Sequence, residues 1–178
     1  MKTKVTLSLG LLAALAIGES AQTNNYQPDG ARIAPASAVK ASIMVNTVSL
    51  ERTAFDLLNQ KRIDNGLKPL KWSDNLASIA RSHSRNMADH NFFSHRGLDD
   101  KLVSDRAADA GLGTWQAIGE NIAFNRGYQD PINKAVDLWL DSPSHRHNLL
   151  DDNWKETAVG IAVAADGSYY LTQVFLKK

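Results

Sequence analysis

Two imidazoles and one carboxylate stand out in this chain for where they fall. Glu120 lies in Gly119-Glu120-Asn121-Ile122-Ala123, in the middle of an otherwise apolar extended stretch. A charge there is costly unless the carboxylate is paired, hydrogen-bonded or turned into a cleft, so Glu120 needs a partner. His95 ends the run His90-Asn91-Phe92-Phe93-Ser94-His95, where the chain must turn out of a helix, with Phe92 and Phe93 expected to anchor the turn in the core. His145 sits in Ser142-Pro143-Ser144-His145-Arg146-His147, just beyond another helix, and is the natural residue to face His95. Together they can form a hydrogen-bonded polar cluster that ties two loops to a strand, with Glu120 favouring a charged imidazole.

Other chemistries lack their residues. The chain has no Cys, which excludes thiol and disulfide chemistry. It has no Gly-x-Ser-x-Gly elbow, His-Glu-x-x-His pair, P-loop or dinucleotide glycine fingerprint. Ser94 beside His95 is sequence adjacency, not a triad. His83 falls on the apolar face of a helix and reads as a packed structural residue, His90 complements a helix C-terminus, and His147 reads as a solvated loop residue. The four Trp are dispersed, as core and rim packing would have them.

The elements that would position these residues follow from periodicity. Leu50, Ala54, Leu57, Leu58 and Arg62 recur at a helical period from Val48 to a stop at Asn65-Gly66. Ser73 caps a second helix, with Leu76, Ile79, Ala80, His83 and Met87 on one face, which runs to about His90. A third is expected over Asp99 to Ala110, ended by Gly111 and Gly113. Residues 115–124 read as extended. Asp130-Pro131 then opens a helix with Ile132, Ala135, Val136, Trp139 and Leu140 on its apolar face, and Ser142-Pro143 repeats the signal for a short turn. Val159, Ile161 and Val163, then Asp166-Gly167, then Tyr170, Thr172, Val174 and Leu176 predict a closing antiparallel hairpin. The fold class is α+β, a three-layer α/β/α sandwich with a small, mainly antiparallel sheet.

Size and charge bound the rest. The chain has 178 residues, 43% apolar and 22% charged, with a net charge of +1. That suits one soluble domain, and Lys68, Lys71, Arg81 and Arg85 are scattered among acids, so nothing demands nucleic acid. Lys2 and Lys4, the apolar run Val5 to Ile17, and the small Gly18 and Ser20 predict a cleaved signal peptide over 1–20; the run is short of the roughly 18 to 20 residues that span a bilayer. A flexible linker is expected over 21–46 and the folded domain over 47–178. The expected product is secreted or periplasmic, a monomer without stable membrane insertion.

The helix pattern Leu76 to Met87, Phe93-Ser94-His95, Gly119 to Ala123, Trp139 through Asn148, and Val159 to Val163 followed by Tyr170 to Phe175 occur together and in order. On these the chain resembles the bacterial-type branch of the CAP superfamily (cysteine-rich secretory, antigen 5 and pathogenesis-related proteins), or SCP-like domain, over roughly Leu50 to Leu176. The resemblance implies a wide cleft lined by two His and two acids able to hold a divalent cation, Zn or Mg, and it carries to His95, Glu120 and His145. The second acid is missing: Ser142 stands at its position, and Asp141 beside it points about 100° away on a helix. Two imidazoles and one carboxylate can still make an open zinc site, so the metal and the polar cluster are both live readings. Three functions follow. The first is a non-catalytic binding module for a small apolar ligand or protein partner. The second is a divalent-metal-assisted extracellular hydrolase of peptides or envelope polymers, and the third a structural surface protein.

Overall fold

The computed structural model describes residues 36–178, with side chains from residue 47 onward. The expected signal peptide (1–20) and residues 21–35 of the expected linker lie outside the described residues. Five helices and four strands follow in the order α1 (Ala36–Asp64), β1 (Lys71–Trp72), α2 (Asp74–His90), α3 (Val103–Asp109), β2 (Ala117–Asn125), α4 (Pro131–Asp141), α5 (Pro143–Leu150), β3 (Glu156–Val163) and β4 (Tyr169–Lys177). Among the described residues no helix is long and apolar enough to cross a membrane.

The strands form one sheet in the order β1-β3-β4-β2. β4 pairs antiparallel with β3, from Glu156↔Leu176 to Val163↔Tyr169, and with β2, from Ala117↔Lys177 to Asn125↔Tyr169. The two-residue β1 runs parallel to β3. β3 and β4 are buried along nearly their whole length, so both faces of the sheet need cover. On one face α1, α4 and α5 supply Ala54, Leu58, Val136, Trp139 and Leu149 against Val159, Ile161 and Leu171. On the other, α2 and α3 supply Leu76, Ile79, Ala80 and Ala107 against Ala158, Val174 and Leu176. This is the expected three-layer arrangement.

Three contacts set the helices on the sheet. A Cβ at Gly160 of β3 would lie 2.1 Å from the Arg81 backbone nitrogen and 2.3 Å from the Ala80 carbonyl carbon, so only glycine lets α2 lie this close. Beside it the Ser84 hydroxyl donates to the Gly160 carbonyl (2.9 Å). Glu51 of α1, 1% exposed, accepts from the Arg81 guanidinium at 2.6 to 3.0 Å and from the Ile161 backbone N–H at 3.2 Å, which links α1, α2 and β3. Arg62 donates to the carbonyls of Leu149 (2.7 Å) and Asp151 (2.9 Å), which fastens the C-terminal end of α5 to α1.

β2 runs 117–125 rather than the expected 115–124, and two helix starts differ from expectation. α1 starts at Ala36, inside the expected linker and well before Val48; residues 36–65 contain neither Gly nor Pro, so nothing in them stops a helix. α3 starts at Val103 rather than Asp99. Asp100 takes φ 63°, Gly97 and Lys101 close a turn at 3.0 Å, and the helix begins only where the Leu102 N–H meets the Asp105 carboxylate at 2.9 Å.

Candidate functional site

Glu120 points from β2 toward α3, with its side chain 4% exposed, and both its oxygens are engaged. His95 Nδ1 lies 2.8 Å from Oε1, and the Arg106 Nη2 donates to Oε2 at 2.5 Å. A carboxylate only accepts, so the His95 Nδ1 carries the proton, and the other ring nitrogen is the one that can serve a ligand. Arg106 also organises the loop that carries His95: its Nη1 donates to the carbonyls of Lys101 (2.7 Å) and His95 (3.2 Å). The loop begins at Asn91, which closes α2 in the left-handed conformation (φ 51°) with its N–H on the Met87 carbonyl.

His145 reaches the site through two asparagines. Asp130 caps α4 by accepting from the N–H groups of Ile132 and Asn133, and Ser142-Pro143 then turns the chain into α5. The fully buried Asn121 of β2 donates to the His145 carbonyl at 3.0 Å. Asn148 donates to Asn121 Oδ1 (3.1 Å) and to the Glu120 carbonyl (3.3 Å). The rings of His95 and His145 lie 6.2 Å apart, tilted by 43°. Burial, and then the charge of His95, push the His145 pKa below the ordinary histidine value, so this ring favours its neutral form. His83, 1% exposed, places Nε2 2.9 Å from the Ser94 carbonyl, and burial lowers its pKa as well.

Next to His145 an apolar groove of about 510 Å³ opens. The residues Phe92, Phe93, Ile122, Phe124, Trp139 and Tyr170 give it its apolar lining, and Asn91, Ser142 and His145 its polar groups. Phe124 pairs across the strands with Tyr170, rings 5.0 Å apart, and Phe93 packs on Phe124 at 6.2 Å. Phe93 is 51% exposed, so it does not anchor the turn in the core as expected; it extends an aromatic row over the surface of β2. Trp139 is fully buried, and its indole N–H donates to the Ile122 carbonyl at 2.8 Å. Asp141 is the exposed last residue of α4, and Ser142, not Asp141, lines the groove.

Arg106 is the participant that sequence reasoning missed. Glu120 signalled that it needed a partner, but nothing in the spacing marked a cation on α3 as that partner. Its presence bears on the expected Zn or Mg. Arg106 holds one Glu120 oxygen and His95 the other, and among the described residues no group of three His, Cys, Asp or Glu is placed to hold a metal ion. A cation held by His95 and His145 would gain Glu120 as a ligand only by displacing one of these two partners. Glu120, held between a guanidinium and an imidazole, is also not a free general base.

Residues 55–175 match the sequence profile of the cysteine-rich secretory protein family (CAP). The chain is 38% identical over 128 residues, 72% of its length, to the uncharacterized membrane protein YlbC of Bacillus subtilis (strain 168), and covers 34% of that protein. It is 33% identical over 149 residues, 82% of its length, to the uncharacterized protein YkwD of the same organism, and covers 55% of it. It thus spans about a third to about half the length of these relatives. Among solved structures, an extracellular protein containing an SCP domain from Bacillus anthracis str. Ames superposes with a TM-score of 0.66 at 30% identity, over 78% of this chain and 43% of that one.

Proposed function

We propose, from the premise that this chain belongs to the cysteine-rich secretory protein (CAP) family, that it is an exported, non-catalytic binding module that holds a small apolar ligand in the groove beside His145. The observation that carries this reading is the aromatic row Phe93, Phe124 and Tyr170. Phe93 (51% exposed) and Phe124 (41%) stand over the buried Tyr170, and aromatic side chains lining a groove of this volume among a few polar groups are what a small-molecule site consists of. The surroundings of His145 favour the same reading: His145 is shifted toward its neutral form and Glu120 is matched internally, so an apolar group entering there meets no unpaired charge. Export rests on the leader-like residues 1–20 and on the extracellular relative from Bacillus anthracis.

The test is fluorescence titration with anilinonaphthalene sulfonate, a probe with an apolar ring system. The wild type should bind one probe, and Phe93→Ala with Phe124→Ala should weaken binding at least about tenfold, since each aromatic contact contributes on the order of 1 kcal/mol. Unchanged affinity in the double variant overturns the reading.

A further inference from the structure

A cavity of about 690 Å³ opens between the segment that follows α1 and the start of β3, and Arg62, Lys68, Lys71, Lys155 and Lys178 all line it. Arg62 is 2% exposed. Its Nε donates to the Lys68 carbonyl (3.1 Å), and both hydrogens of Nη1 go to the carbonyls of Leu149 and Asp151. Nη2 makes no hydrogen bond, yet it is not among the buried atoms that lack a partner, so this nitrogen is the edge of the guanidinium that reaches open space. Among the described residues no carboxylate forms a salt bridge with Arg62. Buried charges are ordinarily paired, and this one rests on carbonyls alone. Burial lowers its pKa, and Asp151 and Asp152, acting from beyond salt-bridge distance, offset that only in part.

The other side chains of the cavity extend this imbalance. Lys178 is matched by Glu156 at 2.5 Å, but Lys155 finds only the Asp152 carbonyl, at 3.4 Å, and Lys68 and Lys71 form no salt bridge. Beside the matched pair, one guanidinium and three ammonium groups thus share a single side-chain carboxylate, that of Asp152. An anion relieves that excess, whereas a cation adds to it. With Nε and Nη1 engaged, Arg62 cannot form the two-pronged fork that reads a planar carboxylate, and ammonium groups are point charges with no preferred plane. The cavity therefore discriminates by the amount of charge rather than by its shape. A phosphate monoester carries about −1.5 to −2 near pH 7 on three oxygens, more than a carboxylate can. Leu67 and Pro69 add apolar surface for the carbon part of such an ester.

We infer that this cavity binds the phosphate group of a phosphate monoester, with Arg62 Nη2 donating to one oxygen and the ammonium groups of Lys68, Lys71 and Lys155 neutralising the rest. The group arrives either on a free small molecule or as the headgroup of a lipid, and the same residues serve both. The site shares no residue with the aromatic groove and does not depend on the function proposed for that groove.

The experiment is calorimetric titration of the full chain at low salt with glycerol 3-phosphate, with acetate as the control anion, beside co-sedimentation with phosphatidylcholine vesicles that contain or lack phosphatidic acid. The phosphate probe, free or in the vesicle, should bind, and glycerol 3-phosphate should bind about tenfold or more above acetate if it binds free. Lys68→Gln with Lys71→Gln, both on exposed residues, should weaken binding about tenfold or more, and Arg62→Met should abolish it. Arg62→Met also removes the bonds that hold the end of α5, so the lysine pair carries the test if that variant fails to fold. Sedimentation only with phosphatidic acid assigns a lipid headgroup, and glycerol 3-phosphate binding without sedimentation assigns a free molecule; either supports the inference. Phe93→Ala should leave phosphate binding unchanged. No binding of either probe, acetate bound as tightly as glycerol 3-phosphate, binding that survives the lysine pair, or binding lost in Phe93→Ala overturns it.

Discussion

Replacing Arg106 with Met keeps most of the side-chain volume and deletes the cation that faces Glu120. The Glu120 side chain is 4% exposed and that of Arg106 12%, so the remaining carboxylate cannot turn to water without moving β2 or α3. Removing one partner of a buried pair costs about 3–5 kcal/mol, because it leaves an uncompensated charge rather than because the pair itself is worth that much. His95 remains hydrogen-bonded to the other oxygen, which places the expected loss near the low end, about 3 kcal/mol. For a domain of this size that is a fall in Tm of roughly 10 °C. Adding Glu120→Gln to Arg106→Met removes the stranded charge and should restore at least about half of the loss, a coupling that two independent sites would not show. Urea unfolding of the wild type, both single variants and the double variant gives the cycle directly. A loss below about 1 kcal/mol for Arg106→Met, or strictly additive losses, would refute the argument that Arg106 neutralises a buried Glu120.

Gly160→Ala puts a methyl group into the backbone of α2, where no side chain can move aside, and should cost about 3 kcal/mol in chemical denaturation; a cost under about 1 kcal/mol means that α2 is not seated as described. His83 and His145 both have folded pKa values below the ordinary 6.5, so the unfolded chain binds more protons than the folded one as pH falls through that value. Stability is then full above about pH 6.5 and declines below it, measured as the urea midpoint at pH 7.5 and 5.0; His145→Asn should flatten part of the decline, and a midpoint that rises on acidification contradicts the assignment.

Much of this architecture is legible in the residues. Asp130-Pro131, the face Leu76 to Met87 and the alternation through β3 and β4 each carry a local signal with a single physical meaning, and the elements stand where those signals put them. What is not legible depends on pairing at a distance. Nothing local reveals that Glu51 joins Arg81, that Arg62 binds the carbonyls at the end of α5, or that Arg106 answers Glu120, because these partners meet only once the sheet has formed. β1 is too short to leave a periodic trace and exists through its pairing with β3. Phe93 misleads for a related reason: a large apolar residue at a turn reads as an anchor, and only the folded sheet shows that the exposed Phe124 of β2 lies outside the core for it to join.

Two of the hydrogen bonds that hold α4 and α5 against β2 act beyond the site. β2 ends the sheet, and an end strand offers a free row of backbone groups to which another extended chain can add. The Trp139 indole sits on the Ile122 carbonyl and the Asn148 amide on that of Glu120, two alternate positions on the same side of the strand. Those are the acceptors an incoming strand would need first. Trp139 and Asn148 therefore also shut this edge of the sheet against growth, which protects a chain with no cysteine for disulfides from strand-by-strand aggregation.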